Sequence, residues 1–225
     1  MKIMFIPFGS NENHGPHNDK LCDFIIAQDI CKKLAKFFKG QVSKKVMKKG
    51  AEGIPPTDEY SYTEFYNKAK KCILKSLKKA DLLVIVNGHG TNKSILMDIC
   101  RVVSLKEETP IILIDWPELI SENRFIMWSE KKWLNHAGVI ETSVLMAVSP
   151  KSVKLEKAVD DERALRDLTA WKRRKIKIYP IKYSKTGVYG VSKCADKELG
   201  KKVLNLVLSK AQKEITQFIK EKRLL

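Results

Sequence analysis

The sequence predicts an α/β protein in which helices cover both faces of a mostly parallel sheet. Short, continuously apolar segments alternate with longer segments of helical periodicity, and this alternation is typical of buried parallel strands connected by helices. The chain has 225 residues, of which 44% are hydrophobic and 31% charged, and this composition is that of a globular protein. Because no repeat, low-complexity segment or linker divides the chain, we expect a single domain spanning residues 1–225.

Apolar runs that end at turn-forming residues predict the strands. The runs at residues 3–8, 82–86 and 111–114 have the length and composition of strands buried on both faces. Two less regular segments predict a short strand within residues 42–47 and an edge strand at residues 175–183.

Apolar residues at intervals of three and four predict the helices. Gly40 is a stop signal for the first helix, and Pro150 follows the fourth. The predicted helices cover residues 21–38, 63–79, 92–104, 137–148, 160–171 and 200–221.

The basic charge of the chain does not by itself indicate a nucleic-acid-binding protein. Lys and Arg number 43 against 26 Asp and Glu, which gives a net charge of +17. The basic residues are mostly lysines, whereas the bidentate recognition of bases and phosphates uses arginine. We therefore expect a solvated lysine-rich surface and no nucleic-acid partner. The alternative in a different functional class is a protein that has the fold of a metal-binding enzyme but binds nucleic acid.

The cysteines and the lengths of the apolar runs indicate a cytoplasmic protein. The chain has five cysteines, an odd number, and no two of them form a Cys-x-x-Cys pair. This usage is typical of reduced thiols in the cytoplasm. A helix that crosses a membrane needs about 20 apolar residues, and no apolar run approaches this length, so we expect no membrane association.

Histidines and a glutamate follow the predicted strands at the point where each strand ends. Glu12, His14 and His17 follow the first strand, and His89 follows the strand at residues 82–86. In open α/β sheets this edge is where ligands bind, so we expect these side chains to lie close together.

Other potential ligands lie near helix starts. Asp23 lies nine residues after His14, and His136 precedes the predicted helix that carries Glu141. Imidazoles and carboxylates are ligands of Zn²⁺, Mn²⁺ and Fe²⁺, and a carboxylate such as that of Asp23 can bridge two ions. The sequence thus predicts a site for divalent metal ions at the carboxyl edge of the sheet.

Four motifs resemble those of the creatininase (creatinine amidohydrolase) family. Residues 9–17, Gly-Ser-Asn-Glu-Asn-His-Gly-Pro-His, followed by Asp23, are similar to the family opening G-S-x-E-Q-H-G-P-H…D. Residues 87–92 resemble the loop N-G-H-G-G-N, and residues 136–143 resemble the segment H-A-G-x-x-E-T-S. Residues 187–200 resemble the C-terminal stretch of the family. Any one of these motifs would be weak evidence, but all four occur in the family order.

The resemblance implies a single-domain three-layer α/β/α fold and hydrolysis of a non-peptide C–N amide bond. It also implies two divalent metal ions per subunit (Zn, Mn or Fe) and a homo-oligomer, commonly a hexamer. By matching positions, His136 would handle the proton, and Glu141 would act both in catalysis and as a ligand. The metal ligands would be Glu12, His14, Asp23, which bridges, His89 and Glu141.

Departures from the family pattern bear on the substrate. Thr91 stands where creatininase has an acidic metal ligand. This difference argues against creatinine as the substrate and makes Glu141 more important as a metal ligand. Asn13 replaces the usual glutamine, and residues 18–22 replace a run rich in Leu and Pro, although the spacing from His14 to Asp23 is kept.

Two classes of substrate therefore compete. The first is a formamide on a phosphorylated pyrimidine. Such a compound is the substrate of the archaeal formamidopyrimidine deformylase-like branch, which acts in flavin and deazaflavin biosynthesis. The second is a small cyclic amide of the creatinine type. Thr91 and the basic charge favour the first, and the charge favours an anionic small molecule. We expect the substrate to contact His17, Thr91, Trp128 and Trp133.

Several residues in these motifs have simpler structural interpretations. Asn87 and Asn92 are expected to hold the turn through side-chain hydrogen bonds. Gly88 and Gly90 are expected to supply backbone freedom to the loop. The basic run at residues 172–175 is expected to be solvated surface.

Overall fold

A parallel four-stranded sheet forms the centre of the molecule. The computed structural model describes residues 1–44, 46–51, 58–121, 136–162 and 184–223. The strands are β1 (Ile3–Phe8), β2 (Gln41–Val42), β3 (Leu82–Asn87) and β4 (Ile111–Asp115), and their order in the sheet is β2-β1-β3-β4. Every pair of neighbouring strands is parallel, which confirms the predicted sheet.

Six helices are described along the chain, together with 3₁₀ turns at Pro150–Ser152 and Leu155–Lys157. The helices are α1 (Cys22–Phe38), α2 (Tyr62–Leu77), α3 (Asn92–Glu107), α4 (Glu118–Ser121), α5 (Val139–Val148) and α6 (Lys197–Arg223).

The two faces of the sheet pack against different helices, because side chains alternate along a strand. Phe5 and Val84 point to the face covered by α1, α5 and α6. Ile6 and Ile85, one position further along the strands, point to the face covered by α2 and α3. Both apolar layers are buried, so the three-layer α/β/α architecture is confirmed.

Some predicted boundaries were wrong for local reasons. In place of the strand expected within residues 42–47, the described residues form a strand at Gln41–Val42 and an isolated bridge between Met47 and Phe8. Helix α6 begins at Lys197, three residues before the predicted start, because the Asp196 carboxylate caps its first turn by accepting from Leu199 N at 2.8 Å.

Several predictions fall outside the described residues. These are most of the helix at 160–171, all of the edge strand at 175–183, the basic run at 172–175, and both Trp128 and Trp133. All five cysteines are free thiols, as predicted. Within the described ranges, no helix combines the length and hydropathy needed to cross a bilayer.

The first turn of α1 is pressed against the carboxyl ends of β1 and β3. A Cβ on Gly88 would lie 2.4 Å from the backbone oxygen of Asp23, and a Cβ on Gly9 would lie 2.3 Å from the Cα of Phe24. Glycine is therefore required for close approach at Gly88. The expected backbone freedom was wrong, since neither Gly88 nor Gly90 has a positive φ. This packing brings the Asp23 side chain to the sheet edge.

Candidate metal centre

Asp23 lies between two histidines that come from different strand ends. Its Oδ1 is 3.0 Å from Nε2 of His14, in the loop after β1, and its Oδ2 is 3.1 Å from Nδ1 of His89, in the loop after β3. The Ser10 hydroxyl also donates to Oδ2 at 2.7 Å. The two oxygens of one buried carboxylate thus face two separate imidazoles.

Two groups of potential metal ligands share Asp23. In the first, Glu12, Asp23 and His89 place one donor atom each within 4.8 Å of one another, and His89 Nδ1 lies 2.8 Å from Glu12 Oε1. In the second, His14, Asp23 and Glu141 meet the same limit, and His14 Nε2 lies 3.7 Å from Glu141 Oε2. Nitrogen and carboxylate oxygen donors of this kind suit Zn²⁺, Mn²⁺ and Fe²⁺.

Each of these histidines uses its other ring nitrogen on a backbone carbonyl. His14 Nδ1 lies 3.2 Å from the oxygen of Glu12, and His89 Nε2 lies 3.0 Å from the oxygen of Ala51. Because a carbonyl oxygen only accepts, the nitrogen beside it carries the hydrogen. The nitrogen that faces the carboxylates is thereby left for a metal ion, which is the usual arrangement of histidine ligands. The donor set and its support therefore fit a divalent metal ion.

His136 closes another side of the site. Its ring centroid is 4.3 Å from that of His14, and its Nδ1 lies 3.6 Å from Glu12 Oε1. Its Nε2 donates to the oxygen of Asn13 at 2.6 Å, and the Tyr189 ring packs edge-on against it with centroids 6.2 Å apart. Glu12, His14 and His136 form a further group with ligand spacing, so distance alone also allows His136 to bind a metal ion.

Burial and neighbouring charges shift the pKa values of this cluster in opposite directions. Burial would raise the pKa of Glu12, but the nearby imidazoles, that of His89 foremost, lower it to about 2. Burial would lower the pKa of His14, but Asp23 and then Glu141 and Glu12 raise it to about 10. The pKa of His89 is raised well above its usual value, against its burial, chiefly by Glu12.

Glu141 and His136 are governed by burial. Burial, and next the charge of Asp23, raise the pKa of Glu141 to about 8 even though its Oε2 accepts from Ala137 N at 2.6 Å. Burial likewise lowers the pKa of His136 despite the nearby Glu12 carboxylate. The cluster thus brings carboxyl groups and imidazoles together in a buried space, where charges interact more strongly than in water.

The residues expected to contact substrate lie in different places. His17 is buried, and its Nε2 is 3.1 Å from Thr142 Oγ1 on α5. Thr91 is exposed where α3 begins, and its side chain does not cap that helix. Trp128 and Trp133 are among the residues that are not described. The five expected ligands and His136 come together. Thr91, in contrast, is exposed to solvent, and His17 faces α5.

Sequence reasoning missed several groups that support the cluster. The backbone oxygens of Asn13 and Ala51, which hold His136 and His89, carry no sequence signal. The Ser10 hydroxyl lies in the motif at residues 9–17, but the motif alone does not indicate its bond to Asp23. Cys22 directly precedes Asp23, and its sulfur lies within 4.8 Å of donor atoms of His14, Asp23 and Glu141; burial raises its thiol pKa well above its usual value.

The expected role of the two asparagines is confirmed. Asn87 Nδ2 donates to the oxygen of His89 at 2.8 Å, and His89 N donates back to Asn87 Oδ1 at 3.3 Å. Asn92 Nδ2 donates to the oxygen of Gly9 at 3.0 Å. The bonds between Asn87 and His89 brace the loop after β3, and the bond from Asn92 holds the start of α3 against the loop after β1.

Comparison with known proteins identifies the family of this chain. The family model for creatininase, described as creatinine amidohydrolase, matches residues 1–215. The chain belongs to the creatininase family. This membership confirms the resemblance carried by the four motifs, and it places the chain among hydrolases that act on carbon–nitrogen bonds.

Relatives and solved structures extend the match over the chain. The creatinine amidohydrolase of Pseudomonas putida is 22% identical in an alignment 231 positions long, which covers 91% of this chain and 85% of that protein. A crystal structure of creatininase has a TM-score of 0.82 at 18% identity, covering 96% of this chain and 90% of that one. A creatininase structure described as the manganese form has a TM-score of 0.81 at 19% identity, with the same coverage. At these identities the structures show that the creatininase fold is shared.

Proposed function

We propose that this member of the creatininase family is a metal-dependent amidohydrolase that cleaves a non-peptide C–N amide bond of a small molecule with water. The observation that carries the proposal is the position of Asp23, whose two carboxylate oxygens face His14 and His89 at 3.0 and 3.1 Å. A carboxylate placed between two ligand groups is suited to bridge two cations. Membership of a family of C–N hydrolases supports the same conclusion.

We propose two divalent ions per subunit, with Zn, Mn and Fe as the candidate metals. Glu12 and His89 would hold one ion and His14 and Glu141 the other, with Asp23 between them. When bound, such ions lower the pKa of a water molecule toward neutrality and polarise the carbonyl that it attacks.

The protein buries these ligand side chains and holds them in place. Glu12, His14 and Asp23 are each at most 2% exposed, so bulk water does not compete for them. The backbone oxygens of Glu12 and Ala51 fix the orientation of the two imidazoles. This preorganisation removes the cost of rearranging polar groups as the reaction proceeds.

His136 is proposed to move the proton to the leaving nitrogen. Its Nε2 hydrogen is held by the backbone oxygen of Asn13, so its Nδ1 is the atom free to exchange a proton on the side of Glu12. A positioned imidazole contributes about 10²–10⁴-fold to such a step. Contact with Tyr189 and His14 restricts the ring to this orientation.

A formamide on a phosphorylated pyrimidine is the substrate that we propose first. By the family resemblance Thr91 stands where creatininase has an acidic metal ligand, and a threonine hydroxyl cannot replace that charge. The net charge of +17 favours an anionic molecule. Lys48 and Lys49 lie shortly before Ala51, whose carbonyl contacts His89, although Lys49 is paired with Asp58.

A small cyclic amide is the second candidate, and the relatives favour it. The Pseudomonas putida protein is a creatinine amidohydrolase. A mutant creatininase complexed with creatine has a TM-score of 0.82 at 18% identity, covering 96% of this chain and 91% of that one.

Product analysis with both substrates tests the proposal. Protein loaded with Mn²⁺ or Zn²⁺ is incubated with a phosphorylated formamidopyrimidine, with its dephosphorylated form, and with creatinine. We expect formate from the phosphorylated compound, less from the dephosphorylated one, and none with the Glu12→Gln variant. Conversion of creatinine alone would instead select the cyclic amide. No hydrolysis of any amide, with steeply salt-dependent binding to duplex DNA or RNA, would overturn the enzyme proposal in favour of the alternative class.

The assembly and the setting of the enzyme are proposals of the same kind. We propose a homo-oligomer, a hexamer by family resemblance, that acts on a small molecule in the cytoplasm without a nucleic-acid or membrane partner. Light scattering on the eluting protein tests the assembly, and a mass equal to that of one 25.7 kDa chain would contradict it.

A further inference from the structure

Asn92 is a fully buried amide at the first position of α3, and each of its polar atoms has a partner from a different part of the chain. Its Oδ1 accepts from Ala51 N at 2.8 Å. Its Nδ2 donates to Gly9 O at 3.0 Å and lies 3.3 Å from Asn87 Oδ1. One side chain thus joins the loop after β1, the loop after β3 and the segment that contains Ala51.

The bond to Ala51 has a consequence for His89. The amide N–H of Ala51 is held by Asn92, and the carbonyl oxygen of the same residue accepts from His89 Nε2 at 3.0 Å. Fixing the first group fixes the second, because both belong to one residue with limited backbone freedom. The hydrogen of His89 is therefore kept on Nε2, and its Nδ1 is directed at Glu12 and Asp23.

Close packing around Gly50 supports this arrangement independently. A Cβ on Gly50 would lie 2.7 Å from Asn92 Oδ1, 2.7 Å from His89 Cδ2 and 2.9 Å from Gly9 O. The amide, the imidazole and the carbonyl therefore converge on one point where only glycine fits.

We propose that Asn92 is a positioning residue for the metal site, which holds the Ala51 carbonyl and thereby sets the tautomer and direction of His89. The inference rests on the proposed metal site. Groups that orient a histidine ligand are worth about 10–100-fold in metal affinity, and we expect Asn92→Ala to weaken metal binding within this range. Ligands of the other group, such as His14, keep their own support from the Glu12 carbonyl.

The test measures zinc affinity by chelator competition, and the hold of the Ala51 carbonyl on His89 by the solvent-exchange rate of the His89 Nε2 hydrogen in NMR spectra of the zinc-loaded protein. The chain has only four histidines, so the ring signals can be assigned by substitution. Native protein and Asn205→Ala, an exposed control on α6, should show a slowly exchanging His89 Nε2 hydrogen and equal affinity. In Asn92→Ala this hydrogen should exchange faster, and the protein should bind zinc about 10–100-fold more weakly.

Two further results distinguish the possible failures. Gly50→Ala forces Asn92 and His89 apart and should reproduce both effects, so it takes over the test if Asn92→Ala does not fold. Unchanged exchange of the His89 Nε2 hydrogen and unchanged affinity in either folded variant would overturn the inference while leaving the metal site intact. Absence of zinc binding by the native protein would overturn the proposed function itself.

Discussion

The hydroxyl of Ser10 donates a hydrogen bond to Oδ2 of Asp23 at 2.7 Å, and that same oxygen faces His89 at 3.1 Å. Ser10 is fully buried, so this bond fixes the rotation of the carboxylate between its two imidazoles. We expect Ser10→Ala to weaken metal binding by about tenfold. This is the lower end of the range of about 10–100-fold that is typical of groups hydrogen-bonded to a metal ligand. Chelator competition measures the effect, with Ser94→Ala, exposed on α3, as the control. Equal affinities in both variants would contradict this role.

The two glycines of the loop after β3 should respond differently to a methyl group. Gly88→Ala places a Cβ 2.4 Å from the backbone oxygen of Asp23, whereas at Gly90 nothing lies within 4 Å. We expect Gly88→Ala to reduce the free energy of unfolding by about 1–3 kcal/mol, the usual cost of overpacking. Gly90→Ala should leave it almost unchanged. Urea denaturation of both metal-free variants measures the difference, and a similar loss in the two would refute the packing argument.

His136→Ala should separate catalysis from metal binding. Because the proposed role of His136 is proton transfer, we expect kcat to fall by about 10²–10⁴-fold while the metal content stays at the native level. Steady-state kinetics and metal analysis of the same sample measure the two quantities. Since His136 also lies within ligand distance of Glu12 and His14, a loss of bound metal would show that it is a ligand instead.

Metal binding should release protons at neutral pH. Without metal, the raised pKa values of His14, about 10, and Glu141, about 8, mean that both groups carry a proton at pH 7. Metal ions bind the deprotonated forms, so affinity should fall as the pH is lowered from about 8 to about 6. Calorimetry in two buffers of different ionisation enthalpy counts the protons released.

The control for this count is His17→Gln. Burial lowers the pKa of His17 to about 4, so this ring is neutral at pH 7 and has no proton to release. The variant should give the native count. A heat of binding that does not depend on the buffer would contradict the assigned protonation states.

The strands and the ligands at their ends could be predicted because each follows from a local pattern. A buried parallel strand must be continuously apolar, and its carboxyl end must carry the polar residues that face a ligand. Glu12, His14 and His89 follow from this rule. The pairing of Glu141 with His14, across 127 positions, required the family motif, since periodicity alone does not say which helix approaches the sheet edge.

Other features of the site depend on tertiary packing and had no local signal. The carbonyls of Asn13 and Ala51 are backbone groups that every residue possesses, so no sequence pattern marks them as partners of His136 and His89. Gly88 resembled a flexible loop residue, and only the approach of α1 reveals that its missing Cβ makes room for the Asp23 backbone. His17, although part of the opening motif, is turned toward Thr142 because α5 packs beside it.

Metal stoichiometry tests the central claim most directly. Native protein, Glu12→Gln and Asp23→Asn are purified under metal-replete conditions and analysed by mass spectrometry for bound zinc, manganese and iron. Two ligand groups sharing one carboxylate predict about two ions per subunit in the native protein, a partial loss in Glu12→Gln and the larger loss in Asp23→Asn. A native protein without bound metal, or an Asp23→Asn variant that keeps both ions, would contradict the account.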